Sequence, residues 1–274
     1  MHIGLALFPT DLTSDIRDVA RAAEDAGFES LFVAEHTHIP VSRETPYPLG
    51  EGELPDEYSR TLDPFVALTA AAVVTERLRL GTGICLVPEH DPIVLAKAVA
   101  SLDRLSGGRV LMGVGAGWNA EELADHGTAY ETRWDVLRDR VKLMQQLWTQ
   151  DVASYDGTHA RLAPSWQWPK PVQDPLPVLI GADGKRAMGH AVDYATGWMP
   201  MPSRRKLGER LAELAEIADA AGKPVPSVTI HAARADRGVL DHYAELGIER
   251  SVLILPTRGD ALPRIREWAP LVKV

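Results

Sequence analysis

Residues 78–114, LRLGTGICLVPEHDPIVLAKAVASLDRLSGGRVLMGV, decide the fold. The two ends, Leu78 to Ile84 and Val110 to Val114, are short runs of apolar and small residues, the pattern of strands buried on both faces. Between them, Asp91-Pro92 suits the first turn of a helix: the carboxylate can cap free backbone N–H groups, and proline's missing N–H is not needed there. Ser106-Gly107-Gly108 supplies the stop. A buried strand, a helix and a second buried strand make a parallel β/α/β unit.

The unit recurs in both directions. Upstream, Ile3 to Phe8 reads as a strand, Ser14 caps a helix running to about Ala26 with Gly27 as its stop, Ser30 to Ala34 is the second strand, and Asp63-Pro64 opens a helix ending near Thr75. Downstream, Arg133 to Gln150 carries Trp134, Leu137, Val141, Met144 and Trp148 at helical spacing. Val178 to Ile180 and Thr196 to Met199 are the fifth and sixth strands, separated by a helix over Gly184 to Tyr194. A helix from Ser203 to Ala221 precedes the last two strands, Val228 to Ala232 and Ser251 to Leu255. Eight such units predict a single α/β domain over residues 1–274, a (β/α)₈ or TIM barrel with insertions after strand 2 (residues 35–62) and after strand 4 (residues 152–176). Loops of that length in a compact domain are usually functional or mobile.

A net charge of −9 removes the basic face that nucleic-acid binding needs, and no basic run suits a membrane surface. No apolar stretch is long enough for a transmembrane helix, and the first residues lack the charge and apolar run of a secretory signal. Cys85 is the one cysteine, so no internal disulfide forms and a reducing, cytoplasmic setting is expected.

Barrel chemistry sits where strands end. After strand 2 stands Glu35-His36-Thr37-His38. An imidazole, with an unperturbed pKa of about 6.5, gives or takes a proton near neutrality, and the adjoining carboxylate would orient it. After strand 4, Gly113 to Gly117 would let backbone pass beneath a flat ligand, with Trp118 and Asn119 following; the segment lacks the spacing of a dinucleotide-binding turn. After strand 5, Gly181-Ala182-Asp183-Gly184 runs into a helix whose free N–H groups suit a phosphate, with Asp183 as the helix cap and Lys185 and Arg186 adding charge. The His36-Thr37-His38 spacing raises a metal alternative, but the ends of strands 5, 6 and 8 supply no histidine, so no metal is expected. No strand-end lysine suits a Schiff base, and Cys85 reads as a packed thiol.

Taken in order, Ser30-Leu31-Phe32-Val33-Ala34-Glu35-His36, Leu80-Gly81-Thr82-Gly83-Ile84, Gly113 to Asn119 and Pro177-Val178-Leu179-Ile180-Gly181 make the chain resemble the luciferase-like monooxygenase superfamily, and within it the coenzyme F420-dependent oxidoreductases of actinobacteria. The resemblance covers nearly the whole chain. It implies that Glu35 and His36 stand beside the redox ring, with His36 handling the substrate proton. It implies a non-prolyl cis peptide at Gly83-Ile84 against that ring. Gly115, Ala116 and Gly117 would line the ring face, continued by Trp118 and Asn119, and Gly181 to Gly184 would hold the coenzyme phosphate. Members acting on sugar phosphates carry a carboxylate where Trp118 stands, and a tryptophan where Ile39-Pro40 stands, so a hydrophobic or mixed small molecule is the expected substrate. The implied activity is hydride transfer between the deazaflavin F420 and that substrate. The alternatives are an FMN-dependent flavin monooxygenase and a non-catalytic coenzyme-binding protein. A homodimer is expected by the same analogy.

Overall fold

A computed structural model describes residues 1–48, 50 and 53–272 of the chain. The strands are β1 (His2–Leu7), β2 (Ser30–Val33), β3 (Arg79–Cys85), β4 (Val110–Val114), β5 (Ala153–Asp156), β6 (Arg161–Ser165), β7 (Val178–Ile180), β8 (Gly197–Trp198), β9 (Ser227–His231) and β10 (Arg250–Ile254). The helices are α1 (Ile16–Ala26), α2 (Pro64–Ala72), α3 (Pro92–Ser106), α4 (Ala120–Asp125), α5 (Arg133–Thr149), α6 (Gly184–Tyr194), α7 (Leu207–Ala220), α8 (Arg237–Glu245) and α9 (Leu262–Val272). All strands but β5 and β6 pair in parallel and close a barrel in the order β1-β10-β9-β8-β7-β4-β3-β2. That is the eight-stranded TIM barrel the sequence predicts.

Alternation along the strands sorts side chains into two cores. Within β1, Leu5 and Leu7 join the shell between strands and helices, while Ala6 points into the barrel with Phe32, Leu111, Leu179, Met199 and Val252. Glycines give these interior groups their room. A Cβ on Gly81 would stand 2.3 Å from the Phe32 ring, and one on Gly113 would stand 2.1 Å from the carbonyl oxygen of Thr82. The N-terminal end of the barrel is closed by Arg250, which is 1% exposed and donates from Nε and Nη2 to Glu29 at 2.7 Å each. Burial works against a charged Glu29, yet the bonds and charge of Arg250 hold its carboxyl below the ordinary range.

The structure corrects several local expectations. Asp15, not Ser14, caps α1 by accepting from the Arg17 N–H; Ser14 Oγ donates to Asp260 and accepts from the Ala261 N–H, tying the starts of α1 and α9 together. Helix α7 begins at Leu207, four residues later than Ser203 suggests, and β8 spans two residues. The segment after β4 contains α4, and residues 152–176 contain the antiparallel hairpin β5–β6. The segment 35–62 holds a single 3₁₀ turn at Asp56–Ser59 among its described residues. No helix among the described residues is long and apolar enough to cross a membrane.

The two kinds of glycine have opposite expected outcomes. Gly113→Ala, which forces a methyl against backbone, should lower unfolding free energy by roughly 1–3 kcal/mol. Gly189→Ala, inside α6 with nothing within 4 Å of the new methyl, should raise it by about 0.5–1 kcal/mol. Urea titrations of the two variants beside the parent chain check both signs.

Candidate functional site

His36 lies just past the end of β2, its backbone fixed by Thr61, whose Oγ1 accepts from the His36 N–H (3.3 Å) and donates to the His36 carbonyl (2.9 Å). The imidazole is 6% exposed, and its Nδ1 lies 2.8 Å from Oε2 of Glu122, whose side chain is 1% exposed. The other oxygen of Glu122 accepts from the Thr37 N–H at 3.0 Å. On the far edge of the ring, Trp118 Nε1 donates to Nε2 at 3.4 Å. A carboxylate accepts and an indole donates, so both contacts select one tautomer: a proton on Nδ1 and a lone pair on Nε2 that accepts from Trp118. Tyr58, Tyr47 and Trp118 pack edge to face around one another, and Tyr58 and Trp118 also pack against the imidazole, with ring centroids 5.0 and 5.8 Å away. Burial and the hydrogen bond to Tyr47 push the Tyr58 hydroxyl pKa upward, so it stays protonated.

Glu35, expected beside His36 in the same task, faces the other way. It is 4% exposed, and its carboxylate accepts from the Leu86 N–H at 2.6 Å and from His90 Nε2 at 2.8 Å. The geometric cause is alternation: consecutive residues leaving a strand point to opposite sides. Glu35 therefore fixes the loop after β3 to the end of β2, and the carboxylate that orients His36 is Glu122, 86 positions away in sequence. Burial lowers the His90 pKa, but the bond and charge of Glu35 outweigh it and hold the ring above the ordinary range. Burial and then the Glu35 charge push the Cys85 thiol well up, so it is a packed, protonated group. Glu35, Cys85 and His90 are the one cluster among the described residues with metal-ligating groups within 4.8 Å, and both oxygens of Glu35 are already in hydrogen bonds. His36 and His38 do not converge on a common point; His38 Nε2 pairs with Asp125 at 2.9 Å.

The glycines at the mouth act differently from a bare floor. The Gly83–Ile84 peptide is cis, and the β3–β4 register shifts between Thr82 and Cys85. The Ile84 side chain fills the space that glycines leave: a Cβ on Gly115 would stand 1.9 Å from Ile84 Cδ1, and one on Gly181 would stand 2.2 Å from Cγ2. Gly117 serves a turn, with φ +81, and Ala116 is buried. Ile84 is only partly buried, so the barrel presents an apolar branched surface at its mouth. Two polar groups stand near the strand ends without a partner among the described residues. Both amide atoms of Asn119, which leads into α4, are buried and unpaired, and so is Nε2 of His231, at the end of β9. A Cβ on Gly83 would stand 2.9 Å from that nitrogen, and burial lowers the His231 pKa to about 4, leaving the ring neutral. Apolar contact with unpaired donors and acceptors beside it fits a flat heteroaromatic ring with hydrogen-bonding edges.

In the segment after β7, Asp183 caps α6 through the Gly184 N–H and also pairs with the buried Arg210 at 2.5 Å. The Ala182 carbonyl accepts from Trp198 Nε1 at 2.8 Å. Gly184 has φ +85 and open space where a Cβ would be, so the helix N-terminus is accessible. Lys185 and Arg186, expected to add charge there, are drawn to Glu213 (3.1 Å) and Asp135 (3.9 Å).

Sequence reasoning missed Glu122, Tyr58 and His231. Glu122 is distant from His36 along the chain, and acidic residues in a first helical turn read as helix-dipole partners. His231 was hidden by a strand reading that ran to Ala232, which placed it inside the strand.

A sequence profile of the family described as luciferase-like monooxygenase matches residues 9–244. The chain is 44% identical over 263 residues to an uncharacterized protein of Mycobacterium tuberculosis, covering 94% of this chain and 93% of that one. It is 29% identical over 264 residues to the F420-dependent glucose-6-phosphate dehydrogenase of Amycolatopsis mediterranei, covering 94% of this chain and 70% of the relative. Among solved structures, a monooxygenase from Streptomyces bottropensis shares the fold with a TM-score of 0.78 at 21% identity, over 100% of this chain and 97% of that one.

Glu35→Ala leaves the buried Leu86 N–H and the His90 ring without an acceptor and should cost about 3 kcal/mol. Because the folded His90 pKa is raised above 6.5, the charged pair's contribution is fully present below that pH and is lost as pH rises through the raised value. Chemical denaturation of the parent chain and His90→Gln across that range should show the stability gap narrowing upward; a gap independent of pH would contradict a charged pair.

Proposed function

From its membership of the luciferase-like monooxygenase family, to which the chain belongs, we infer that this protein is an oxidoreductase that moves hydride between a deazaflavin coenzyme of the F420 type and a small organic substrate. The observation that carries this reading is the single tautomer imposed on the buried His36: Glu122 holds Nδ1, which leaves Nε2 as the proton acceptor of the ring, met here by the Trp118 N–H. The bound deazaflavin would supply a two-electron hydride acceptor or donor. The relative named as an F420-dependent dehydrogenase supports that coenzyme.

The residues divide the work. Ile84, with Gly115 and Gly181 beneath it, offers the apolar surface for the ring, and Asn119 and His231 offer hydrogen bonds to its edges. The N-terminus of α6 offers to the phosphate the N–H groups that follow Gly184, whose own N–H is accepted by Asp183. In the oxidising direction His36 Nε2 takes the substrate's hydroxyl proton as hydride leaves the adjoining carbon; in the reducing direction the imidazolium returns it. Tyr47, Tyr58 and Trp118 enclose the imidazole and keep water from it. With Trp118 in the wall, Tyr47 and Tyr58 packed against it and Arg43 over its face at 5.8 Å, the pocket offers aromatic surface to a substrate with an apolar part.

Parallel titration with the deazaflavin and with FMN tests the coenzyme: micromolar or tighter binding of the deazaflavin alone is expected, and preference for FMN would turn the reading to a flavin monooxygenase. Tight binding with no turnover over alcohols, ketones and activated alkenes would favour a carrier. His36→Ala should lower turnover by roughly 10²–10⁴-fold while coenzyme affinity holds. Undiminished turnover would remove His36 from the chemistry.

A further inference from the structure

Glu122 is not the last carboxyl behind His36. Glu89 closes the 3₁₀ turn Val87–Glu89 that follows β3, and its side chain lies within hydrogen-bonding reach of Glu122. Both are buried, Glu89 at 7% exposed and Glu122 at 0%. Donors are shared unequally between them. Glu122 accepts from His36 Nδ1 at 2.8 Å and from the Thr37 N–H at 3.0 Å. The donor near Glu89 among the described residues is the Thr37 hydroxyl, 3.4 Å from its Oε2. That hydroxyl has one proton and nearer acceptors for it, His126 Nε2 at 2.7 Å and His38 Nδ1 at 2.9 Å.

We propose that Glu89 is a positioning residue for His36: its carboxyl donates a hydrogen bond to Glu122 and so fixes that carboxylate as the acceptor at Nδ1. The proposal deepens the functional reading and bears on turnover only with His36 as the acid–base group. Two buried carboxyls in contact cannot both ionise. The two N–H donors mark Glu122 as the anion, which leaves the shared proton on Glu89. Among the described residues no lysine or arginine pairs with either carboxyl; Arg140, on α5 behind the turn, gives Nη1 to the carbonyl oxygens of Val87, Pro88 and His90. Burial, then the charges of Glu122 and Glu35, hold the Glu89 carboxyl well above the ordinary carboxylate range. The other titratable groups around it are Cys85, kept protonated, His90 on Glu35 with Asp63 behind it, and His126 and His38 beyond Thr37.

The arrangement fits the proton cycle of His36. The base is Nε2: the substrate proton arrives there and leaves from there once product has gone, while the Nδ1 proton stays on Nδ1 throughout. Glu122 must therefore remain an acceptor in both states of the ring. The proton on Glu89 secures this in two ways. It gives Glu122 a donor on the side away from the ring, so the carboxylate cannot turn from Nδ1 without breaking that bond as well. It also keeps the pair at one negative charge; a second would hold the imidazolium more tightly and slow release of its Nε2 proton. Glu89 acts on the base only through Glu122.

The test needs neither coenzyme nor substrate: the ¹⁵N shifts of the His36 ring are followed against pH in the full chain, through the ring's non-exchanging carbon-bound protons. In the parent the Nδ1 shift should move in a step near pH 9, as Glu89 loses its proton and its bond to Glu122. Glu89→Gln, whose amide keeps a donor but cannot ionise, should abolish the step. No step in the parent, or one that persists in Glu89→Gln, overturns the proposal. Glu89→Leu, which removes the donor, should move the Nδ1 shift at neutral pH; a folded Glu89→Leu with the parent's shift also overturns it. If Glu89→Leu does not fold, the step in the parent and in Glu89→Gln decides alone. With the functional reading also correct, kcat falls on the order of tenfold in Glu89→Leu while KM and coenzyme affinity hold, and Glu89→Gln recovers most of that rate. The expected shifts with no hydride transfer by the parent, or with undiminished kcat in Glu89→Leu, keep the positioning and take His36 out of the inferred reaction.

Discussion

A carboxylate taken out of water must be met by donors, and two such groups organise the mouth of this barrel. Glu35 is met by the Leu86 N–H and His90, Glu122 by His36 and the Thr37 N–H. Each pairing ties the end of β2 to a segment that lies beyond the strand ladder: the loop after β3 in one case, α4 in the other. The position of His36 follows from both. Removing either carboxylate would free a strand end and leave buried donors unpaired, which costs more than the bonds themselves contribute.

The close packing beneath is of the opposite kind, apolar and set by absent atoms. Gly81 makes way for Phe32, Gly113 for Met199 and the Thr82 carbonyl, and Gly115 and Gly181 for Ile84. Interior packing at this density has no slack for a methyl group. Glycine at these positions is thus a requirement of neighbouring side chains, and the same residues that look like a ligand-facing floor are spacers for a single isoleucine.

The barrel was legible because its signal is repeated: buried runs, Asp-Pro helix starts and glycine stops recur over the whole chain, and each unit corroborates the next. His36 was legible because barrels place chemistry at strand ends. The partner of His36 was not, since Glu122 reaches it from 86 residues away and a pair of glutamates opening a six-residue helix has an adequate local explanation in the helix dipole. Adjacency misled in the case of Glu35, which shares a peptide bond with His36 and yet serves another loop. The hairpin β5–β6 was hidden by Pro164 within it and by its half-exposed strands. Ser14 and Asp15 are both good caps by type, and only geometry separates them.

Helix α4 deals with the segment after β2 at every turn of its short length. Glu121 accepts from the Glu44 and Thr45 N–H groups, Glu122 holds His36 and Thr37, and Asp125 holds His38. Glycines with positive φ stand on both sides of it, Gly117 and Gly127. Residues 36–38 and 44–45 are bound so closely to the helix that the two form one panel, and the hydrogen bond that orients His36 lies in the seam between them. The orientation of the base is thus a property of that seam: whatever parts α4 from these residues also takes the acceptor from Nδ1.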